Sequence, residues 1–228
     1  MITRVSNYFW YRPMVSRRLL VLSTFAGFCL PLSAAEPSYL ELKTPFPNAD
    51  RTLIKIFSYD CPFCYRYDKT IDPWLRETVC KDANLQFVPV FLESRATYGS
   101  TAALFLALCQ AEDRKNGHDI TDSQSLFARA KDALYFAYLK KKERWQGGEK
   151  DFIQTLSEAT GISADIFARR RSDPDVLAIR TAWAPSKEAG SIQGIPAYVV
   201  NGKYLILNKA VRSKSVLADL ISELSAKS

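Results

Sequence analysis

The sequence predicts an α/β fold with an all-helical insertion. Two β-rich runs, residues 53–58 and 85–91, enclose one helical stretch and indicate a βαβ unit. Residues from about 97 to 190 have helical patterns, and a strand–turn–strand pattern followed by a helix completes the chain. The 228 residues, 47% of them hydrophobic, suffice for a full-sized core. They exclude collagen, low-complexity disorder and a mini-protein held by disulfides alone.

The first 35 residues are predicted to be an export signal that is not part of the fold. Arg12, Arg17 and Arg18 precede an apolar stretch, and small residues at 33–35 indicate signal-peptidase cleavage after Ala35. An uncleaved membrane anchor is the alternative, because the apolar stretch barely reaches the length that spans a bilayer. Cleavage removes four arginines and no acidic residue, which lowers the formal net charge from +7 to +3. The remaining basic residues are scattered, so no nucleic-acid partner is expected.

The helical block is predicted to be an insertion between two parts of the α/β domain. Its helices are expected at residues 102–112, 123–142, 150–159, 164–171 and 175–189. Asn201-Gly202 is a strong hairpin signal between β-rich runs, since both residues tolerate positive φ. Apolar residues then recur at helical spacing from 216 to 224, which predicts a last helix that covers the sheet. The expected segments are therefore 36–96, 97–189 and 190–228.

The motif that carries chemistry is Cys61-Pro62-Phe63-Cys64. It follows the first predicted strand and opens the next helix, the context in which a Cys-x-x-Cys pair is redox-active. At a helix N-terminus the unpaired backbone N–H groups and the helix dipole favour a thiolate on Cys61. Cys64 lies within disulfide reach on the same helical face, and Pro62 stands where its missing N–H costs nothing. We therefore expect Cys61 to be the nucleophile and Cys64 to resolve mixed disulfides.

Two other interpretations of this motif remain open. A zinc half-site would need a second cluster, yet the ligands that remain after the signal are Cys80, Cys109 and His118, without metal-finger spacing. No metal site and no cofactor are expected. A purely structural disulfide is the other interpretation, although a bond that closes a ring of four residues gains little loop entropy.

A second segment, residues 194–204, adds to the case for redox chemistry. Pro196 stands at the start of a predicted strand, a position that tolerates proline, and a cis peptide bond there would be a specific structural feature. Taken alone, an ordinary trans proline is the simpler interpretation.

Two runs together resemble the DsbA-like thiol:disulfide oxidoreductases: Phe-Ser-Tyr-Asp-Cys-Pro-Phe-Cys-Tyr at 57–65, and Gly-Ile-Pro-Ala-Tyr-Val-Val-Asn-Gly-Lys-Tyr at 194–204. The resemblance implies a thioredoxin-like fold with an inserted all-helical domain, located in the periplasm. It implies that Pro196 is cis and lies against the sulfurs of Cys61 and Cys64, and that Ile195 offers backbone groups to an extended substrate peptide. It also implies unfolded or newly exported cysteine-containing proteins as substrates, and a quinone-linked membrane oxidase that recharges the disulfide.

Two departures from the family pattern bear on the direction of electron flow. Strong oxidants carry His as the third motif residue, whereas Phe63 cannot donate a hydrogen bond to the thiolate, which predicts a weaker oxidant. Related oxidoreductases commonly place an acidic proton relay six residues before the first motif Cys, and Lys55 stands there instead. The Lys55 cation would stabilise a thiolate, but Asp60 opposes it, so the net sign stays open.

Cys80 and Cys109 are the remaining cysteines after the signal. With Cys61 and Cys64 paired, only one further bond is possible, and an exported protein meets an oxidising compartment. A structural disulfide between Cys80 and Cys109 is therefore expected, with two separate buried thiols as the alternative.

The sequence thus predicts a periplasmic protein thiol-disulfide oxidoreductase, most simply an oxidase that donates the Cys61–Cys64 disulfide to exported proteins as they fold. A reductase or isomerase is one alternative, since Cys-Pro-aromatic-Cys also resembles the glutaredoxin motif. A non-catalytic binding or chaperone module that retains the fold is the other. A monomer is expected, because no hydrophobic heptads predict a coiled-coil dimer.

Overall fold

A five-stranded mixed sheet lies at the centre of the fold. The computed structural model describes residues 36–93 and 96–227. The strands lie in the order β1 (Tyr39–Glu41), β5 (Tyr204–Ile206), β4 (Ala197–Val200), β2 (Thr52–Phe57) and β3 (Gln86–Phe91). β2 and β3 run parallel, and the other pairs are antiparallel. The βαβ unit and the C-terminal hairpin therefore share one sheet, and the predicted α/β class is confirmed. The short edge strand β1 was not predicted.

Helices connect β2 to β3 and follow the hairpin. The first connection consists of α1 (Pro62–Thr70), α2 (Asp72–Trp74), a π-helical turn (Leu75–Val79) and α3 (Cys80–Asp82). The predicted single helix is divided because Pro73, which lacks an N–H, stands at the start of α2. After the hairpin and a 3₁₀ turn (Asn208–Ala210), α10 (Lys214–Ser225) forms the predicted last helix.

The inserted block lies between β3 and β4. It contains α4 (Gly99–Lys115), α5 (Leu126–Tyr135), α6 (Glu149–Thr160), α7 (Ala164–Arg170), α8 (Pro174–Ala182) and α9 (Ser186–Gln193). A π-helical turn, Phe136–Lys140, continues α5. The predicted helix over 175–189 is two helices, because Pro185 caps a new start at α9. Residues 36–228 form one compact unit, in which the block and the sheet share a core, and the three-segment division stays a prediction.

The sheet is buried on both faces. All six residues of β2 are buried, and successive side chains point to opposite sides. Ile54 joins a large core shared with the inserted helices, whereas Leu53 joins a smaller core that includes residues of α10. Val199 and Val200 of β4 divide between the two cores in the same way.

This division shows that the predicted disulfide between Cys80 and Cys109 is wrong. Both are free, buried thiols. Cys80 lies in the smaller core and Cys109 in the larger one, so the sheet separates them. A disulfide requires Cα atoms within about 7 Å, a distance that two helices on opposite faces of a sheet do not reach. The sequence places both cysteines in helices but does not say which face each helix covers.

The hairpin turn holds the two C-terminal strands in register. Asn201 and Gly202 have φ of 51° and 66°, as a two-residue turn of this kind requires, and the Lys203 N–H donates to the Val200 carbonyl at 3.1 Å. A Cβ at Gly202 would lie 2.6 Å from the Cβ of Ala49, so a side chain has no room there. The turn is thus limited to glycine by both conformation and packing.

The predicted export signal and its cleavage after Ala35 lie outside the described residues. Within the ranges that are described, the helices are too short or too polar to cross a membrane.

Candidate active site

The two motif cysteines lie at the start of α1, shortly after the end of β2. Cys61 is the N-cap of α1, with φ −91° and ψ 107°, and its sulfur accepts a hydrogen bond from the backbone N–H of Cys64 at 3.1 Å. Pro62 occupies the first turn of the helix, where no backbone donor is needed. Cys61 thus receives an N–H bond that would otherwise be unpaired, and it faces the positive end of the helix.

The pKa of the Cys61 thiol is lowered to about 7. The largest cause is a hydrogen bond from the Cys64 side chain, and backbone N–H groups of Cys64 and Phe63 lower the pKa further. Burial and the charge of Asp60 raise it and cancel part of this effect. A substantial fraction of Cys61 is therefore thiolate at neutral pH, and the opposing effect of Asp60 has the predicted sign.

Cys64 has the opposite character. Its side chain is fully buried, and this burial raises the pKa of the Cys64 thiol far above its ordinary value. The negative charge on Cys61 raises it further, whereas a backbone hydrogen bond from Ser58 and the charge of Lys55 lower it. The pair therefore contains one reactive thiolate at the surface and one protonated thiol beneath it.

The Ile195–Pro196 loop lies against this pair. The peptide bond between Ile195 and Pro196 is cis, as the family resemblance implies. The Cys61 thiol donates to the Ile195 carbonyl at 3.5 Å, so the loop is in direct contact with the more exposed sulfur. The side chain of Asn208 donates a hydrogen bond to the Pro196 carbonyl at 3.4 Å, which helps to hold the loop in place.

An apolar groove adjoins the pair on the same side. Phe63 is 54% exposed, although large hydrophobic side chains are mostly buried elsewhere in the described residues. A cavity of about 280 Å³ lies beside it, lined by Tyr67, Pro196, Val211 and Leu217 among others. An extended peptide that contacts the Ile195–Pro196 loop would therefore meet apolar surface next to the reactive sulfur.

Lys55 is buried beneath α1 and does not act as an isolated cation. It is 1% exposed, and its Nζ donates to the Cys64 carbonyl at 3.1 Å. It forms an ion pair with Asp72 and lies 3.7 Å from Asp68. Asp72 also accepts a hydrogen bond from the Tyr198 hydroxyl at 2.6 Å. The Lys55 charge is thus compensated, and it lowers the pKa of the Cys64 thiol.

Sequence reasoning missed these partners of Lys55. Asp68 and Asp72 follow the motif at i, i+4 spacing, so they share a helical face, and a lysine within a continuous apolar strand needs a buried carboxylate. That combination is a signal that could have identified them. Tyr198, on the neighbouring strand β4, has no such local signal, because it reaches Asp72 only through the pairing of β2 with β4.

The described residues contain no group of three or more His, Cys, Asp or Glu side chains placed to hold a metal ion. Cys80 and Cys109 are buried, and burial raises the pKa of Cys80 to about 12 and that of Cys109 well above its ordinary value. Neither thiol is therefore reactive at neutral pH.

Comparisons with known proteins agree with this geometry. No protein-family model matches the chain. The thiol:disulfide interchange protein DsbL of Escherichia coli O6:H1 is 42% identical over 211 residues, 92% of this chain and 94% of that protein. The crystal structure of reduced DsbL has a TM-score of 0.76 at 43% identity and covers 85% of this chain and 100% of that one. DsbL of Salmonella enterica serovar Typhimurium has a TM-score of 0.74 at 41% identity, over 86% and 98% of the two chains. These neighbours confirm the thioredoxin-like fold with a helical insertion.

Proposed function

The chain belongs to the DsbA-like thiol:disulfide oxidoreductases, and from this premise we propose that it is a periplasmic oxidase that donates the Cys61–Cys64 disulfide to exported proteins. The observation that carries the proposal is the contrast between the two sulfurs. Cys61 has a pKa lowered to about 7 beside the Ile195–Pro196 loop, whereas Cys64 is buried and held protonated.

The reaction consists of two exchanges. A substrate thiolate attacks the Cys61 sulfur, the Cys61–Cys64 bond breaks, and Cys64 leaves with the electron pair and takes up a proton. A second substrate thiolate then attacks the substrate sulfur of the mixed disulfide and expels Cys61 as a thiolate. The substrate loses two electrons and two protons, and the Cys61–Cys64 disulfide is reduced to the dithiol. A low pKa on Cys61 favours the second step, because a more acidic thiol is the better leaving group.

The protonated state of Cys64 favours the same direction. Only a thiolate attacks a disulfide, so a neutral Cys64 seldom reverses the first exchange by attacking the mixed disulfide at Cys61. The stabilised Cys61 thiolate also favours the reduced protein, which makes the disulfide a stronger oxidant than an unperturbed pair. Both effects support an oxidase over a reductase.

Substrates would bind as extended segments along the loop and the groove. The Ile195 backbone offers hydrogen bonds that do not depend on sequence, and the apolar groove beside Phe63 fits the exposed hydrophobic residues of unfolded chains. We propose further that a quinone-linked membrane oxidase recharges the dithiol, that the chain is a monomer, and that it is exported by a signal cleaved after Ala35.

The test uses the compact unit, residues 36–228, with its Cys61–Cys64 pair oxidised. This protein is mixed with a reduced, unfolded substrate that has two cysteines. Free thiols should disappear from the substrate at a rate that Cys61→Ser abolishes. Cys64→Ser, which cannot form the disulfide, should instead trap a mixed disulfide at Cys61 when it is given the same substrate in its disulfide form, because Cys61 attacks that bond, one substrate thiol is released and no Cys64 follows. Cys80→Ala serves as the matched control and should keep the wild-type rate, because Cys80 is buried in the other core.

The reduction potential of the Cys61–Cys64 disulfide distinguishes an oxidase from a reductase. A value more oxidising than glutathione's supports the oxidase, whereas a value near thioredoxin's, about −270 mV, would reject it in favour of a reductase. A Cys61→Ala protein that keeps its full biological effect would indicate a binding module instead.

A further inference from the structure

The helical insertion places a buried tyrosine in the core that also contains Cys64. Tyr135, at the last residue of α5, is fully buried, and its hydroxyl has no hydrogen-bond partner within the described part of the chain. Buried polar groups are nearly always hydrogen-bonded, so an unpaired hydroxyl calls for an explanation. The helix also widens into a π turn directly after Tyr135, a deviation that is frequent at functional sites.

Contacts between α5 and α1 bring the Tyr135 side chain to the neighbourhood of Cys64. Lys131 of α5 pairs with Asp68 of α1 and Tyr135 contacts Tyr65, so the contacts follow the two helices in opposite order and the helices are antiparallel here. One turn further along α5 lies Tyr135, and one turn back along α1 lies Cys64. The ring of Tyr135 contacts that of Tyr65, the residue after Cys64, with the centroids 5.4 Å apart.

The electrostatics of the hydroxyl agree with this position. Burial raises the pKa of the Tyr135 hydroxyl well above its ordinary value, and nearby negative charge raises it further. The groups responsible, in decreasing order of effect, are Cys64, Asp68, Asp72 and Cys61. Negative charge on Cys64 therefore keeps the proton on the tyrosine, so that the hydroxyl remains a hydrogen-bond donor whenever the sulfur is anionic.

Lys55 cannot supply this hydrogen bond. Its Nζ is already occupied by the Cys64 carbonyl and Asp72, with Asp68 at 3.7 Å. The pKa of Cys64 shows that a thiolate there is unfavourable, and the backbone bond from Ser58 is the hydrogen bond that favours it. A second donor would lower the barrier to the step in which Cys64 leaves.

We propose that the Tyr135 hydroxyl donates a hydrogen bond to the Cys64 sulfur as the Cys61–Cys64 bond breaks, a role that rests on the proposed exchange activity. The electron pair of the broken bond goes to Cys64, the O–H of Tyr135 stabilises it, and a proton from solvent then neutralises Cys64. Tyr135 keeps its own proton. The insertion thus contributes to the chemistry as well as covering the site.

The test compares Tyr135→Phe with Tyr138→Phe. The first variant keeps the buried ring and loses the hydroxyl. The control loses a hydroxyl three residues further on, from a ring that packs on Tyr59 and Trp145. Rapid-mixing kinetics would follow reduction of the disulfide by a cysteine-containing peptide and its reformation by oxidised glutathione, and the glutathione equilibrium would be measured in parallel.

Tyr135→Phe should slow reduction and reformation by the same factor, about tenfold, a size typical of a hydrogen bond to a charged group. The glutathione equilibrium should stay within twofold, because the disulfide and the neutral Cys64 thiol at either end of the step carry no charge for the hydroxyl to stabilise. A merely structural hydroxyl would change thermal stability without this split between rate and equilibrium.

Three results would overturn the inference. Rates of Tyr135→Phe within twofold of wild type would show that the hydroxyl plays no part in the step. Equal slowing in Tyr138→Phe would assign the effect to the packing of α5. A wild-type protein that exchanges no disulfide at all would reject the proposed function itself, and with it this role.

Discussion

Removing the charge of Asp72 should destabilise the protein by about 3 kcal/mol. Asp72 is buried, forms the ion pair with Lys55 and accepts a hydrogen bond from Tyr198. Asp72→Asn keeps the shape of the side chain and an oxygen for Tyr198, so the main change is that Lys55 loses its principal counter-charge.

The magnitude follows from the surroundings of Lys55. Breaking a buried pair typically costs about 3–5 kcal/mol, because the remaining charge is left without a partner away from water. Asp68 lies 3.7 Å from the Lys55 Nζ and retains part of the attraction, which favours the lower end of this range. In a protein of this size about 1 kcal/mol changes the Tm by about 2–4 °C, so a decrease of about 6–12 °C is expected.

Urea unfolding of the oxidised protein, followed by circular dichroism, measures the difference. Glu223→Gln is the matched control: Glu223 pairs with Lys227 at 3.1 Å on the surface, and its loss should cost under about 1 kcal/mol. The double variant Lys55→Met with Asp72→Asn should recover most of the stability, because no unpaired charge remains, Asp68 still pairs with Lys131, and the amide still accepts from Tyr198. If Asp72→Asn costs no more than Glu223→Gln, Asp72 is not what holds the buried Lys55 charge, and the reasoning is refuted.

Three further predictions concern the dithiol, the hairpin and the two buried thiols. The alkylation rate of reduced Cys61 by iodoacetamide should rise with a midpoint near pH 7; a midpoint near 9 would contradict the geometry. Because the folded pKa is depressed, the thiolate stabilises the reduced protein at pH values above the unfolded pKa, and this stability is lost as the pH falls through about 7. Gly202→Ala should lower the free energy of unfolding by about 3 kcal/mol, more than the roughly 1 kcal/mol expected for Gly161→Ala, since Gly161 has positive φ but open space around it; equal losses would show that Ala49 yields. Finally, mass mapping of the reduced, native protein after alkylation should find Cys80 and Cys109 unmodified until it is unfolded, and modification of either at the rate of Cys61 would contradict their burial.

The elements of the fold that have a local sequence pattern could be predicted from the sequence. The apolar runs of β2 and β3 and the Asn201-Gly202 turn are local signals, and the structure contains each of them at the expected place. β1 was missed because its three residues are mostly exposed and pair only with β5, so no buried pattern marks it. The division of the helix at Pro185 was missed because helical periodicity continues on both sides of the proline.

The candidate site divides in the same way. Cys61 and Cys64 could be found because four adjacent residues contain both sulfurs and the helix N-terminus that lowers the pKa of Cys61. Lys55 was expected near the sulfurs, and the spacing of Asp68 and Asp72 could have identified its partners. Tyr135 could not be found, since it comes from an inserted helix whose position against Cys64 is set by packing. The face of the sheet that each helix covers is likewise a tertiary property, which is why the Cys80–Cys109 bond was predicted and is absent from the described structure.

The burial of Cys80 and Cys109 in separate cores keeps both thiols out of disulfide exchange with substrates. A catalyst that repeatedly forms mixed disulfides with foreign chains is exposed to internal scrambling if any other sulfur of its own can intercept them. Here the sheet insulates one spare thiol from the other, and burial isolates both from incoming partners. Of the four cysteines in the described residues, Cys61 is thus the one that an incoming sulfur can reach, and the redox state of the Cys61–Cys64 pair would report that of this part of the chain.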